Sequence, residues 1–427
     1  MISASTCPHP AEPLAPAPAP KGDFTKGVIW NSLGSLMWAA NSFVMLMLVS
    51  RIEPVATAGA FSIAFTTAQI AYIVGLLGLN QFQQTDYQGS YSLRAYAKGR
   101  LWGCAFMLLA VMAAILILGF SGSKVVYTLL LTALMMLNAL CELFQSFFFR
   151  YDRLDLSGAS LFWRTLLSLS VFALVLLLGR GLLLATLAQL AVNLLVSAVV
   201  VIRWLPAFQA LERESQPRPS DDHQKLIREC LPLFASTLLM SLVVNASRYG
   251  IDILMTDEAQ GYYNMIFVFA LLINIFGQFM FKPLLSRCSD AAHSGDKPRL
   301  KRLLFWQVAA LLGVTGLACL VAWFWGIPVL ELVYARSIDH LRLPLLIVLA
   351  GSGAHALTEL LFYLLVLLRR QGWILRVYAA LIVVVIPLTW GLVAAAGITG
   401  AALSFLLAHC LVLLGYSWGL SRAMKEL

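Results

Sequence analysis

The sequence predicts an all-α polytopic membrane protein of about twelve transmembrane helices in two six-helix bundles. Three observations predict it. Of 427 residues, 60% are hydrophobic and 12% charged, and the mean hydropathy is +0.83. A soluble domain carries about 25% charged residues, so this chain has about half the charge needed to cover a water-facing surface. Second, apolar runs long enough to cross a hydrocarbon core of about 30 Å recur along the whole chain. Third, a glycine–aromatic step occurs twice, as TAGAFSIAFTTA at 57–68 and DEAQGYYNMIFVFA at 257–270. With an offset of 202 residues, Gly59 falls on Gly261, Phe65 on Phe267, Ala68 on Ala270 and Gly75 on Gly277.

In chain order, the first element is a tail. Residues 1–24 are rich in Pro and Ala, contain no apolar stretch of the kind a cleavable leader needs, and are expected to be disordered. Apolar runs of about 20 residues then fall near 27–49, 57–79, 99–120, 125–149, 157–179 and 182–204, an N-terminal bundle over 25–205. The longest polar stretch, PAFQALERESQPRPSDDHQKLIRE at 206–229, reads as a cytoplasmic linker. Six more runs, near 231–254, 259–281, 303–325, 343–368, 373–395 and 398–420, make a C-terminal bundle over 230–427. The tenth run is the least clean, because Pro344 and Gly351–Gly353 interrupt it. An even number of spans per half gives both halves one orientation, the parallel repeat that places a transport site at the repeat interface.

Basic residues set the orientation. Of the 30 Lys and Arg, 22 fall on the face shared by the tail, the linker and the C-terminus, and 5 on the other. The remaining three, Arg164, Arg248 and Lys282, lie within spans or at their ends. Both termini are therefore expected in the cytoplasm. The same asymmetry accounts for the net charge of +9 without a nucleic-acid partner.

The linker is followed by LPLFASTLLMSLVVNASRYGIDILMTDEAQGYYNMIFVFALLINIFGQFMFKPLLSRCSD. Leu231-Pro232 opens span seven, Asp252 stands near its outer end, Gly261-Tyr262-Tyr263 steps into span eight, and Pro283 and Ser286 close that span. With the span count, this resembles the polysaccharide-transport branch of the multidrug/oligosaccharidyl-lipid/polysaccharide exporter superfamily, the lipid-linked oligosaccharide flippases. The resemblance covers nearly all of Lys26 to Met424. It implies two six-helix bundles around a central cavity, moving undecaprenyl-diphosphate-linked sugars outward across a bacterial plasma membrane. The partners it implies are that lipid-linked substrate, membrane lipids, and a glycan polymerase or glycosyltransferases of the same pathway.

Polar residues inside spans are costly and usually face a cavity or a partner helix. Ser241, Asn245, Arg248 and Asp252 are spaced 4, 3 and 4 apart, so they share one face of span seven. Arginine suits a diphosphate because its planar fork donates two hydrogen bonds and stays charged. Asp252 then serves as a resting partner for Arg248; the alternative is a structural ion pair reaching for the interface. Glu142 in span four and Arg164 in span five sit at similar depth, either as an interhelical clamp or as substrate contacts. Ser352, His355 and Glu359 share a face of span ten, where a protonatable His–Glu pair could couple transport to a proton gradient or simply satisfy the packing.

Other chemistry finds little support. The seven cysteines are scattered singly, with no metal-ligand spacing and no disulfide framework, and no cofactor is expected. The loops on the outer side are short, and no Ser/His/Asp constellation, paired carboxylates outside the bilayer or phosphate-cradling glycine-rich loop is found, against a polytopic polymerase or acyltransferase. A cation-coupled small-molecule exporter of the same superfamily is the stronger alternative. Its coupling acids would have to come from Glu142, Asp252 and Glu359.

Overall fold

The computed structural model describes residues 24–426 apart from 87–88, 214–219, 270–271, 274–276, 278–287, 289–295 and 369. The expected tail at 1–23 and the span-eight positions Asn274, Gln278, Lys282, Pro283 and Ser286 lie outside those residues. Among the described residues the chain is helical, with a single isolated bridge between Tyr91 and Ser220.

The N-terminal half comprises α1 (Phe24–Ile52), α2 (Val55–Leu76), a short α3 (Leu79–Thr85), α4 (Leu93–Ile117), α5 (Gly122–Arg150), α6 (Leu154–Leu177) and α7 (Leu182–Arg213). The C-terminal half comprises α8 (His223–Leu254), α9 (described over 257–269), α10 (Lys297–Val321), α11 (Ile327–Tyr334), α12 (Arg342–Leu367) and α13 (Gln371–Glu426). A π-helical turn, Ala322–Gly326, joins α10 to α11. Ends are fixed by local chemistry. Ser92 accepts the Ala95 N–H to cap α4, and Asp222 accepts from Gln224 and Lys225 to cap α8. The backbone donors of Lys225 and then Gln224 hold the Asp222 carboxyl below its usual range.

Ten helices among the described residues are long and apolar enough to cross a membrane. One of them, Gly372–Met424, has 53 residues, which at ~1.5 Å per residue is far longer than one crossing. It folds back at Ala396 and Gly397 (φ −136° and 54°). Pairs on either side confirm the reversal: Trp373 donates to the Gly415 carbonyl at 3.0 Å, and the Tyr378 and Tyr416 rings lie 5.8 Å apart. Spans eleven and twelve are thus a tight antiparallel hairpin. The twelfth crossing expected from the sequence begins as α9 and runs into residues outside the description. Helical structure also enters the stretch assigned to the linker at 206–229, because α7 continues to Arg213 and α8 starts at His223.

Span ten is not broken. α12 runs through Gly351 and Gly353 because these glycines admit neighbours: a Cβ on Gly351 would lie 2.6 Å from Phe405 Cδ1, and one on Gly353 would run into Thr315. Small residues at helix contacts let backbones approach where no hydrophobic effect drives association.

Each half has its own core. Phe61, Phe65, Met107, Leu131 and Phe172 centre the first, and Tyr263, Leu311, Val348, Phe405 and Tyr416 the second. The cores interlock where Val55 of α2 joins the C-terminal core and Val268 of α9 the N-terminal one, and a smaller cluster joins Leu77, Leu79 and Tyr96 to Leu226 and Cys230. The chain is a multi-pass, two-lobed helical membrane protein.

Candidate functional site

The seam between the lobes is formed by α1 and α2 on one side and α8 and α9 on the other. Small residues bring the helices close, and hydroxyl and amide side chains bridge them. Gln260 donates to Ser62 Oγ at 3.4 Å, Asn264 to Ser50 Oγ at 3.3 Å, and the hydroxyls of Thr67 and Tyr249 meet at 3.1 Å. Arg248 lies in the middle of this seam and is 5% exposed.

Arg248 is held from both lobes. Its Nη1 donates to Thr66 Oγ1 at 2.8 Å, and its guanidinium lies 4.1 Å from the Phe267 ring centroid. The Thr66 hydroxyl spends its own proton on the Ser62 carbonyl at 2.8 Å, which leaves its lone pairs for the arginine. Among the described residues no carboxylate lies within ion-pair distance of Arg248, and its Nε has no hydrogen-bond partner. A hydroxyl and a ring face give a buried cation far less than a carboxylate would. The site therefore presents an incompletely compensated positive charge.

The expected Arg248–Asp252 pair is not formed. Asp252 is bound by Lys124 at 2.7 Å, and the same Lys124 reaches Asp257 at 2.6 Å. Lys124 stands at the start of α5 in the opposite lobe, so an interlobe contact displaces the expected i,i+4 one. Further links on this face also cross between lobes. Arg336 donates to the Glu53 carbonyl at 2.7 Å, and Arg51 donates to the carbonyls of Leu332 and Val333. This end of the seam is latched shut. Ser241 and Asn245 lie half-buried deeper along α8, where the Asn245 amide donates to the Ser241 carbonyl at 2.9 Å.

Two further polar clusters sit inside the lobes. In the N-terminal lobe, Glu142 lies in the fields of Arg100 and Arg164, beside Tyr72. The anticipated Glu142–Arg164 clamp is not closed: among the described residues no direct ion pair joins them, and Arg164 Nε and Nη1 have no hydrogen-bond partner. Arg164 instead lines a tight pocket of ≈ 20 Å³ with Gln145, Ser160, Ser197 and Trp204. Arg100, one of the 22 basic residues counted on the cytoplasmic face, is 1% exposed and donates to the Leu76 carbonyl at 3.2 Å. In the C-terminal lobe, His355 Nε2 is 3.9 Å from Glu359 Oε1, and its ring lies 4.6 Å from that of His409.

His409 and Thr66 were legible as polar residues within apolar runs but share no stripe with the positions singled out. Lys124 was not, because its role depends on a lobe contact 128 residues away. No group of three or more His, Cys, Asp or Glu able to hold a metal ion occurs among the described residues.

The sequence profile of the family described as "Polysaccharide biosynthesis protein" matches residues 24–288, more than half of the chain. The chain belongs to the polysaccharide biosynthesis protein family. Solved structures of membrane transporters share this family member's fold. It is similar to the lipid II flippase MurJ in its inward closed conformation (TM-score 0.68, 13% identity, covering 93% of this chain and 89% of that one). It is also similar to an inward-facing multidrug resistance MATE family transporter of the MOP superfamily (TM-score 0.66, 15% identity, 95% and 99% covered). A third likeness is to the Vibrio cholerae MATE transporter VcmN (TM-score 0.64, 15% identity, 93% and 96% covered). At these identities the likenesses speak for the fold. No curated protein matches the sequence.

Proposed function

We propose that this family member carries an undecaprenyl-diphosphate-linked oligosaccharide from the inner to the outer leaflet of a bacterial plasma membrane by alternating access. The observation that carries the reading is Arg248: a buried cation without a carboxylate partner among the described residues, shared between the two lobes that must separate. In the latched state Thr66 of the opposite lobe occupies its Nη1. Lobe separation removes Thr66 and leaves the fork facing the opened cavity, where a diphosphate supplies the missing acceptors. In this reading the latched face, with Lys124 and Asp252, is the outer one, as the distribution of basic residues argues.

The decisive experiment compares Arg248→Lys and Arg248→Ala in cells. Losing a charge-assisted hydrogen bond costs about 1.5–3 kcal/mol, roughly 10- to 150-fold in affinity. Arg248→Ala is expected to reach the membrane at normal levels yet leave lipid-linked oligosaccharide accumulating on the cytoplasmic leaflet. Arg248→Lys keeps the charge, loses the fork, and transports poorly. Loss of a transferase or polymerase activity from purified protein, with leaflet distribution unchanged, would make this an enzyme instead.

The rival transport reading, a cation-coupled small-molecule exporter, draws on the His355–Glu359 pair and on an apolar groove of ≈ 280 Å³ bordered by Thr67 and Tyr249. It predicts that Arg248→Ala leaves export of apolar cations intact, since a positive charge would repel them.

A further inference from the structure

The hairpin of α13 brings its two ends together at one membrane surface, and the junction is a notch of ≈ 360 Å³ lined by Arg370, Gly372, Trp373, Arg376, Gly419 and Arg422. We propose that this notch binds the phosphate of an anionic phospholipid from the surrounding bilayer. The site is separate from the lobe seam and stands independently of the transport reading.

The arginines are arranged rather than merely present. The Arg422 guanidinium lies 3.8 Å from the Trp418 ring centroid, and Trp418 meets the Trp373 ring edge-on at 4.9 Å. Trp373 is fixed in turn by its hydrogen bond to the Gly415 carbonyl, at 3.0 Å. It fits only because position 419 is glycine, where any Cβ would collide with the indole. Stacking uses the face of the Arg422 fork and leaves its in-plane N–H groups to donate, the geometry that matches a phosphate bidentately. Arg376 follows Trp373 by three residues, one helical turn along the same wall. Neither Arg376 nor Arg422 forms an ion pair among the described residues. Across 369–376 and 422–426 the sequence carries five basic residues and one acid, Glu426. The notch therefore attracts anions.

Its position selects a lipid rather than a soluble anion. Both helix ends emerge from apolar runs here, and paired tryptophans are the usual anchors at headgroup depth. Below the notch the outer surface of the hairpin exposes Val383, Val384 and Leu414, an apolar track for acyl chains. Basic pockets between helices at this level recognise anionic headgroups, each Arg contributing about 1 kcal/mol.

The test uses the full chain, purified in detergent and offered equimolar phosphatidylglycerol and phosphatidylcholine, with retained lipid read by native mass spectrometry. Wild-type protein is expected to retain phosphatidylglycerol preferentially. The double variant Arg376→Gln/Arg422→Gln, monodisperse on sizing, is expected to lower that preference about 30-fold, the product of two such arginine contributions. Arg376→Lys/Arg422→Lys restores charge without the fork and is expected to recover only part. Equal retention of both lipids by wild type, or an unchanged preference in the Gln double variant, overturns the site. Inorganic pyrophosphate that displaces phosphatidylglycerol at equal concentration would also overturn it, by showing a soluble-anion site instead of a lipid one.

Discussion

Gly59 and Gly261 pack backbone against backbone where α2 meets α9, so closely that a Cβ on Gly59 would lie 2.7 Å from the Gly261 nitrogen. The contact is reciprocal. A Cβ on Gly59 would also strike the Asp257 carbonyl, and one on Gly261 would strike the Val55 carbonyl. Residue 257 stands four before Gly261, as residue 55 stands four before Gly59. An isologous contact of this kind, in which i meets j and j meets i, is what a twofold axis produces. Here the axis relates two halves of one chain, and close to it each core takes in a residue from the other half (Val55 and Val268).

The first prediction follows from that crossing. Gly59→Ala must push α2 away from α9, with overpacking costs of about 1–3 kcal/mol. Melting of the detergent-solubilised protein should fall by several degrees for Gly59→Ala and for Gly261→Ala. Gly313→Ala is the control: no atom lies within 4 Å of its Cβ position, so the better helix propensity of alanine leaves stability level or higher. Equal behaviour of all three variants would show that the lobes do not close on these glycines.

A second prediction concerns the latch. Lys124 holds Asp252, whose side chain is 2% exposed, together with the more exposed Asp257. Lys124→Ala leaves Asp252 buried without a partner, a cost that breaking a buried pair sets at about 3–5 kcal/mol and that separation of the lobes relieves. Labelling of a cysteine placed at Thr67 by an external, membrane-impermeant thiol reagent should therefore rise in Lys124→Ala. Asp257→Asn should change it little, because Asp252 keeps its lysine. Unchanged labelling in Lys124→Ala would mean that the lysine does not hold the face shut.

The pattern of what the sequence disclosed has a physical cause. Spans are legible because hydropathy and length are local properties, and the stripe through Arg248 is legible because helical periodicity is local too. Partner choice is not. Asp252 had a suitable arginine four residues away, yet it binds Lys124 across the lobe interface, and Arg248 stacks on Phe267 of α9. Arg100 shows the same limit from the other side: a base at the mouth of a span reads as an interfacial anchor until α2 packs over it. The glycines of span ten misled in the opposite direction, since a break and a close contact use the same residue and only the opposing Phe405 and Thr315 distinguish them.

The third prediction is topological. Reporter fusions at Asp221 and Asp296 should report the cytoplasm, and fusions at Gly122 and Asp257 the exterior, as the 22-to-5 bias in basic residues requires. An external signal at Asp221 would invert the assignment of the latched face and, with it, the direction of transport.

The last prediction rests on a line of contacts that joins the C-terminal lobe to the seam. His355 meets His409 at 4.6 Å, His409 meets Phe405 at 4.5 Å, Phe405 meets Phe267 at 5.1 Å, and Phe267 carries the Arg248 guanidinium at 4.1 Å. At the far end, Glu359 Oε1 is 3.9 Å from His355 Nε2, beyond hydrogen-bond length, and Tyr363 and Tyr378 lie within the field of Glu359. If the pH gradient drives a proton onto His355 against its burial, that near-contact would become a charge-assisted pair, drawing the ring toward Glu359 and away from His409. His409 and Phe405 would then gain room, and Phe267 would release Arg248 as the lobes part. In vesicles with an imposed pH gradient, wild-type translocation should accelerate, whereas His355→Gln and Glu359→Gln should bind substrate normally but ignore the gradient. Phe405→Leu removes the ring between proton site and seam, so it should still take up a proton while translocating no faster. A His355→Gln protein that keeps the full response to the gradient would detach this cluster from coupling and leave it as packing alone.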